Sequence, residues 1–270
     1  MNTIFRRALP AAALLLLASC TDSVTPAATP PATKLQDLVA SNLPSPYYHF
    51  EYDSTGRVKT VSFASGLRNY EVVYDGSRIA QMNNTTGSQE HLDYVYDDAG
   101  HVSLVKYVDS TGQVFALVSF FYVGPRLAKL ERDRRVTGGF IIDKTMTFAY
   151  YPDGNLELLS EHRPPVDSLQ AESTHEIRYE RYDDKINVDG FSLIHDDFFD
   201  HLVLLPDVQF QKHNAARELL TGDGLNTDVD YTYTYDSQNR PLSKAGTATV
   251  RYGSDTITVV QIRTDYTYYR

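Results

Sequence analysis

The chain has 270 residues, a formal net charge of −10, 20 tyrosines, no tryptophan and one cysteine. A lone cysteine excludes an internal disulfide, a cysteine-based zinc site and a dithiol redox pair. The acidic balance repels phosphate backbones and argues against nucleic acid as a partner.

Arg6 and Arg7 precede an apolar run from Ala8 to Ala18, which closes on Leu-Ala-Ser-Cys at residues 17–20. Basic, apolar and small-residue regions in that order form a bacterial secretion signal over residues 1–19. The run is about half the ~20 apolar residues needed to cross a bilayer, so a retained transmembrane helix is disfavoured. Its ending resembles a lipobox, which implies cleavage before Cys20 and a diacylglyceryl group on the Cys20 sulfur. Loss of residues 1–19, with two arginines and no acid, takes the net charge from −10 to −12. Asp22 stands one place beyond the position at which aspartate retains related lipoproteins at the inner membrane, which favours the outer one. Residues 20–46 are rich in Pro, Thr and Ala near their start and read as the lipidated cysteine followed by an extended tether. Leu35, Leu38 and Val39 have helical spacing, so one or two helical turns are expected before Pro44. A single folded domain is expected over residues 47–270.

From Phe50 onward the chain repeats. The segments FEYDSTGRVKTV, VVYDGSRIAQM, YVYDDAGHVSLV, SFFYVGPRLAKL, FAYYPDGNLELL and YTYTYDSQNRPLS align on their tyrosines, and Tyr52, Tyr74 and Tyr96 lie 22 residues apart. That period fits two strands with their turns. Before each turn, apolar side chains occupy alternate positions, as in Tyr70, Val72 and Tyr74 or Tyr231, Tyr233 and Tyr235, so they share one face of a strand. VFALVSFFYV, residues 114–123, is apolar on both faces and is expected to be covered on both sides.

The turns carry their own chemistry. Asp53 is placed to accept hydrogen bonds from backbone N–H groups two residues on, and Gly56 to adopt the positive φ that closes a type I turn with a bulge. Asp97 with Gly100, and Asp109 with Gly112, repeat the arrangement, while Asp236 is followed by Asn239 in the glycine's place. After most turns comes an apolar pair three apart: Val58 and Val61, Ile79 and Met82, Val102 and Val105, Leu127 and Leu130, Leu156 and Leu159. In a flat strand such pairs would face opposite ways, so a regular bulge or face switch is expected in each hairpin.

These repeats resemble the YD repeats of Rhs and teneurin-type proteins, whose hairpins wind into a long β-sheet that closes as a shell. RYDDKINVDGF at 181–191, QKHNA at 211–215 and YTYTYDSQNRPLSK at 231–244, in that order, more closely resemble uncharacterised secreted lipoproteins of Bacteroidota. That family, a domain of unknown function, implies a porin-like β fold and an envelope location but no activity. Ile186, Asn187 and Ala215 depart from its pattern. The expected fold is an all-β, up-and-down antiparallel sheet of roughly twelve to sixteen strands, curved or barrel-like. Within it, FSLIHDDFFDHLVLL at 191–205 has helical spacing and is expected to form a short helix or ordered loop plugging one end. Tyrosine-rich alternation suits a membrane barrel too. A lipobox, a Pro-rich tether, a non-aromatic last residue and weakly apolar outer faces favour a tethered, water-facing sheet instead.

Two clusters could hold a metal. His195, Asp197 and His201, with Asp196 and Asp200, place five ligand-type side chains in seven residues, enough for a hydrolytic divalent ion. A polar helix face opposite Ile194, Phe198 and Leu202 explains them more simply. Asp223, Asn226, Asp228 and Asp230 offer oxygen ligands suited to calcium but lack EF-hand spacing and read as hairpin chemistry. No nucleophile elbow, P-loop or dinucleotide fingerprint is present in the sequence. The expectation is a non-enzymatic lipoprotein without metal or other cofactor, exported and anchored to the outer membrane, with a structural or interaction role. The alternative is a module binding a glycan or another envelope ligand through an aromatic face or the sheet's concavity. Tyrosine ladders that merely stabilise the sheet weigh against that alternative.

Overall fold

The computed structural model describes residues 33–166, 171–195 and 203–269. Residues 1–32, which include the signal and Cys20, lie outside the described residues, as do Asp196, Asp197, Phe198, Asp200, His201 and Leu202. Sixteen strands follow one another: β1 (Leu35–Ala40), β2 (Tyr48–Tyr52), β3 (Val58–Phe63), β4 (Arg68–Asp75), β5 (Arg78–Asn84), β6 (His91–Tyr96), β7 (Val102–Val108) and β8 (Val114–Val123), then β9 (Arg126–Val136), β10 (Gly139–Tyr150), β11 (Leu156–Arg163), β12 (Ser173–Tyr182), β13 (Ala215–Gly222), β14 (Leu225–Tyr235), β15 (Pro241–Tyr252) and β16 (Asp255–Tyr268). Each pairs antiparallel with the next, and β16 returns to β1 with Tyr266 opposite Leu38, so the sheet closes as an up-and-down barrel.

The spacing-of-three pairs are bulges. Tyr52 lies opposite Val58 and Glu51 opposite Thr60, which leaves Lys59 as the extra residue. Ala80, Ser103, Ala128 and Glu157 occupy the same place in β5, β7, β9 and β11. The bulge turns both members of each apolar pair inward, and Val61, Met82, Val105, Leu127 and Leu156 are wholly buried.

A tyrosine closes each bulged corner. The hydroxyls of Tyr52, Tyr74, Tyr96, Tyr122, Tyr150 and Tyr182 donate to the carbonyls of Leu35, Val58, Ile79, Val102, Leu127 and Leu156, each at the start of the preceding strand. Tyr233 and Tyr268 continue the series to Ala215 and Pro241. Cationic side chains cover several of these rings, with the Arg57 guanidinium 4.2 Å from the Tyr74 ring centre and that of Arg240 4.3 Å from Tyr268. Because the topology is strictly up and down, these tyrosines, the start of β1 and the end of β16 share one rim.

At that rim, Asp53 Oδ1 accepts from the N–H groups of Thr55 and Arg57, and Gly56 sits at φ +90°. Asp97 accepts from His101 N–H with Gly100 at φ +91°, and Asp236 accepts from Gln238 and Arg240 with Asn239 at φ +61°. Asp109 and Gly112 make the same turn at the opposite rim. The Thr55 hydroxyl chiefly, with Arg57, holds the Asp53 carboxyl well below the usual carboxylate range.

Three expectations are corrected. Residues 35–40 form strand β1, so the barrel includes them and does not begin at residue 47, and Leu35, Leu38 and Val39 lie on a strand, not in helical turns. A bulge between Leu35 and Asp37 turns both Leu35 and Leu38 inward, which produces helix-like spacing in a strand. β8 is not covered on both sides: Phe121 faces out and is 41% exposed, with the Lys129 ammonium 4.1 Å from its ring centre. A single-layer barrel has no second sheet to cover it, and the lysine stem takes that role. Over the described part of 191–205, the helix is a single 3-10 turn, Gly190–Ile194.

The two faces of the wall differ, although Val73, Val95, Phe121, Phe140, Ile142 and Val259 also stand exposed. Inward stand Tyr48, Phe63, Tyr70, Met82, Leu92 and Met146, each at most 2% exposed. Outward, polar residues face one another across the ladder, as in Thr60 with Glu71, Asp93 with Lys106, Glu131 with Thr145 and Arg217 with Asp230. Lipid-facing barrel walls require the reverse, an apolar outer band.

Candidate functional site: a polar cavity inside the barrel

The described residues of the β12–β13 connection, 183–195 and 203–214, fold back into the barrel. Its apolar residues supply the driving force: Phe191 packs edge-on against Tyr48 and Phe50 at 5.0 and 5.2 Å, Phe210 lies 5.0 Å from Phe148, and Ile194 and Val203 join the same core. The Leu204 N–H donates to the Tyr94 hydroxyl, so the segment is also tied to the wall by hydrogen bonds.

A polar network pins both ends of this plug at the tyrosine rim. Asp183 Oδ1 accepts from Asn214 N–H and its Oδ2 from the Tyr235 hydroxyl. Gln211 donates to the Tyr182 hydroxyl, and Asn187 Nδ2 reaches Asp189, Gln211 and Asn214. Asn155, fully buried, accepts the N–H groups of Lys212 and His213 on Oδ1 at 2.9 and 3.0 Å. Asn155→Ala removes the acceptor for two backbone donors, each worth about 1–3 kcal/mol when left unpaired. The expected result is a loss of about 2–4 kcal/mol in urea unfolding, with faster amide exchange over residues 203–214.

Between the 3-10 turn and the wall formed by β1, β2, β14, β15 and β16 lies a cavity of about 230 Å³. Leu38, Tyr48, Tyr231, Lys244, Ile262 and Thr264 line it from the wall, and Asp189, Ser192 and His195 from the plug. Tyr47, at the end of the β1–β2 turn, also lines it, at the rim opposite the tyrosine rim. The Tyr48 hydroxyl and His195 Nδ1 hydrogen-bond at 2.6 Å, and the imidazole stands edge-on to Phe63. Lys244 Nζ is 2.9 Å from Glu218 Oε1 and 3.9 Å from the Tyr231 ring centre, while the Tyr231 hydroxyl donates to Glu218 Oε2. Burial pulls the Lys244 ammonium toward neutrality, but Glu218, Tyr233, Tyr231 and Asp189 together outweigh it and hold the pKa above the ordinary lysine value. Asp189 accepts from the Tyr266 hydroxyl at 2.6 Å and from Asn187 at 2.9 Å.

Gly246 makes this wall possible. A Cβ there would stand 2.7 Å from the Tyr231 ring and 2.9 Å from the Asp230 carbonyl oxygen, so only a bare backbone lets the ring lie flat across β15.

The sequence candidates fare differently. His195 is buried against Tyr48 and Phe63, while its partners Asp197 and His201 lie outside the described residues. Asp228 forms a two-pronged ion pair with Arg217, Asp230 pairs with Arg181, and Asp223 lies 3.1 Å from His175 Nε2. Asn226, Asp228 and Asp230 are spread along β14 at two-residue intervals, about 7 Å each, and do not converge on one ion. Among the described residues no group of three or more His, Cys, Asp or Glu could hold a metal ion. The cavity escaped sequence reasoning because its lining comes from residues as distant as Leu38 and Thr264, which only barrel closure brings together.

The fold has solved counterparts. A porin-like protein from Bacteroides uniformis superimposes with a TM-score of 0.57 at 16% identity, over 82% of this chain and 89% of that one. A porin-like protein from Bacteroides vulgatus gives 0.57 at 15% identity, over 88% and 99%. At such identities the likeness is one of fold alone. No protein-family model and no curated protein matches the sequence.

Proposed function

We propose that this chain is an exported, non-enzymatic barrel of the cell envelope, anchored to the outer membrane through a lipid on Cys20, with a structural or interaction role and no conducting pore. The observation that carries this reading is the distribution of side chains: polar residues pair across the outer wall, and the interior is filled largely by Tyr, Phe, Leu and Met side chains and by the described part of the β12–β13 connection. The chain enters β1 at the tyrosine rim, beside Lys34, whose ammonium lies 5.6 Å from the Tyr52 ring centre. Residues 21–32 span at most about 40 Å when extended. A lipid anchor at Cys20 would thus attach the barrel to the bilayer from its tyrosine rim.

Cys20→Ser tests the anchor. In cells, the variant is expected to lose incorporation of labelled fatty acid and cleavage before residue 20, and any molecules cut elsewhere are expected in the soluble fraction. A variant that stays membrane-bound and is cut at the same bond would overturn the reading.

A further inference from the structure

We propose that the barrel cavity binds a single uncharged pyranose ring, a site that does not depend on the lipid anchor. Size comes first. At about 230 Å³ the space falls below the ~300–1,000 Å³ typical of pockets for drug-sized ligands and matches roughly seven to eight waters at ~30 Å³ each. One sugar-sized ring fits; an oligosaccharide would have to leave its other residues outside the mouth.

Charge comes second. The three formal charges that line the cavity already have protein partners: Lys244 in Glu218, Arg263 in Asp265, and Asp189 in the Tyr266 hydroxyl and the Asn187 amide. A charged ligand would be stripped of water without gaining an unpaired counter-ion, which favours a neutral one. Directional groups then select among neutral ligands. The hydroxyls of Ser192 and Thr264 and the Tyr48–His195 pair present donors and acceptors around the space, and an apolar ligand would leave them unmatched. Leu38 and Ile262 supply apolar surface for the C–H face of a ring. Tyr47, Tyr48 and Tyr231 line the space as well, the last two with their hydroxyls engaged by His195 and Glu218.

The test is calorimetry and saturation-transfer NMR on the full mature chain with glucose, galactose, mannose and N-acetylglucosamine, each raised into the millimolar range. At least one is expected to bind saturably at one site per chain. Thr264→Leu and Ser192→Leu fill the cavity from opposite sides and are expected to weaken binding at least about tenfold, or 1.4 kcal/mol. Thr232→Val on the outer wall leaves it unchanged. Circular dichroism identifies a variant that has lost its fold, and the other filling variant then decides. Glucosamine and glucuronate, which add a positive and a negative charge, are expected to bind at least about tenfold more weakly than the best neutral sugar. Absence of binding by all four neutral sugars, equal or tighter binding of a charged analogue, or unchanged affinity in a folded filling variant would each overturn the proposal.

Discussion

Raising the pH past 10 is expected to unfold the barrel in one cooperative step, with phenol ionisation and loss of β-sheet occurring together. Burial pushes the phenols of Tyr70, Tyr94, Tyr179 and Tyr266 above the ordinary tyrosine value, and the rim tyrosine Tyr52 is pushed up to about 12 by burial and by the neighbouring Tyr269. The native state therefore keeps protons that the unfolded chain releases above pH 10. Stability is unaffected below that pH and falls as the pH rises through the folded-state values. Each phenol held neutral removes about 1.4 kcal/mol per pH unit, so the four deeply buried ones together remove about 5 kcal/mol per unit. A domain stabilised by ~5–15 kcal/mol is exhausted within one to three units. With no tryptophan in the chain, phenolate absorbance reports these groups directly. Gradual, ordinary tyrosine ionisation near pH 10 with the sheet intact would show that the hydroxyls are not sealed in the wall.

Glu218→Ala is expected to destabilise the barrel by about 3–5 kcal/mol, because it strands the Lys244 ammonium inside the wall. The pair is well screened from water, with side-chain exposures of 17% for Lys244 and 22% for Glu218, and its members stand on different strands, β15 and β13, bridged by Tyr231 on β14. Lys244→Met alone leaves Glu218 with one donor, the Tyr231 hydroxyl, and is expected to cost about 2–3 kcal/mol. The double replacement Glu218→Leu with Lys244→Met removes both charges and is expected to recover most of the loss, since a buried ion pair gains little over apolar side chains of similar size. Urea unfolding of the singles and the double completes the cycle, and strict additivity would mean that the two groups do not couple.

Much of the wall was legible because a bulge leaves a mark in sequence. Val58 with Val61 and Leu127 with Leu130 break the period of two in a way that only a bulged strand or a helix can accommodate, and the turn chemistry beside them selects the strand. Leu35 and Leu38 carry the same mark, but without a preceding Tyr-Asp turn they read as a helix. The barrel shows them to be the first copy of the series, since Tyr52 donates to the Leu35 carbonyl as Tyr74 does to that of Val58. The plug was half legible. Asp183, Gln211, Asn214 and Tyr235, all within the segments that carry the Bacteroidota resemblance, converge into the network that holds it, yet nothing in a one-dimensional pattern says that those segments meet. Closure was also out of reach, because it depends on β1 finding β16 across more than 200 residues, and the cavity depends on closure.

The most direct test of a water-facing, plugged barrel is the behaviour of the Cys20→Ser protein without detergent. It is expected to remain a soluble, β-rich species in plain buffer and to produce no stepwise conductance when added to a planar lipid bilayer. A protein that precipitates unless detergent is supplied, and that opens discrete channels in the bilayer, would contradict the account.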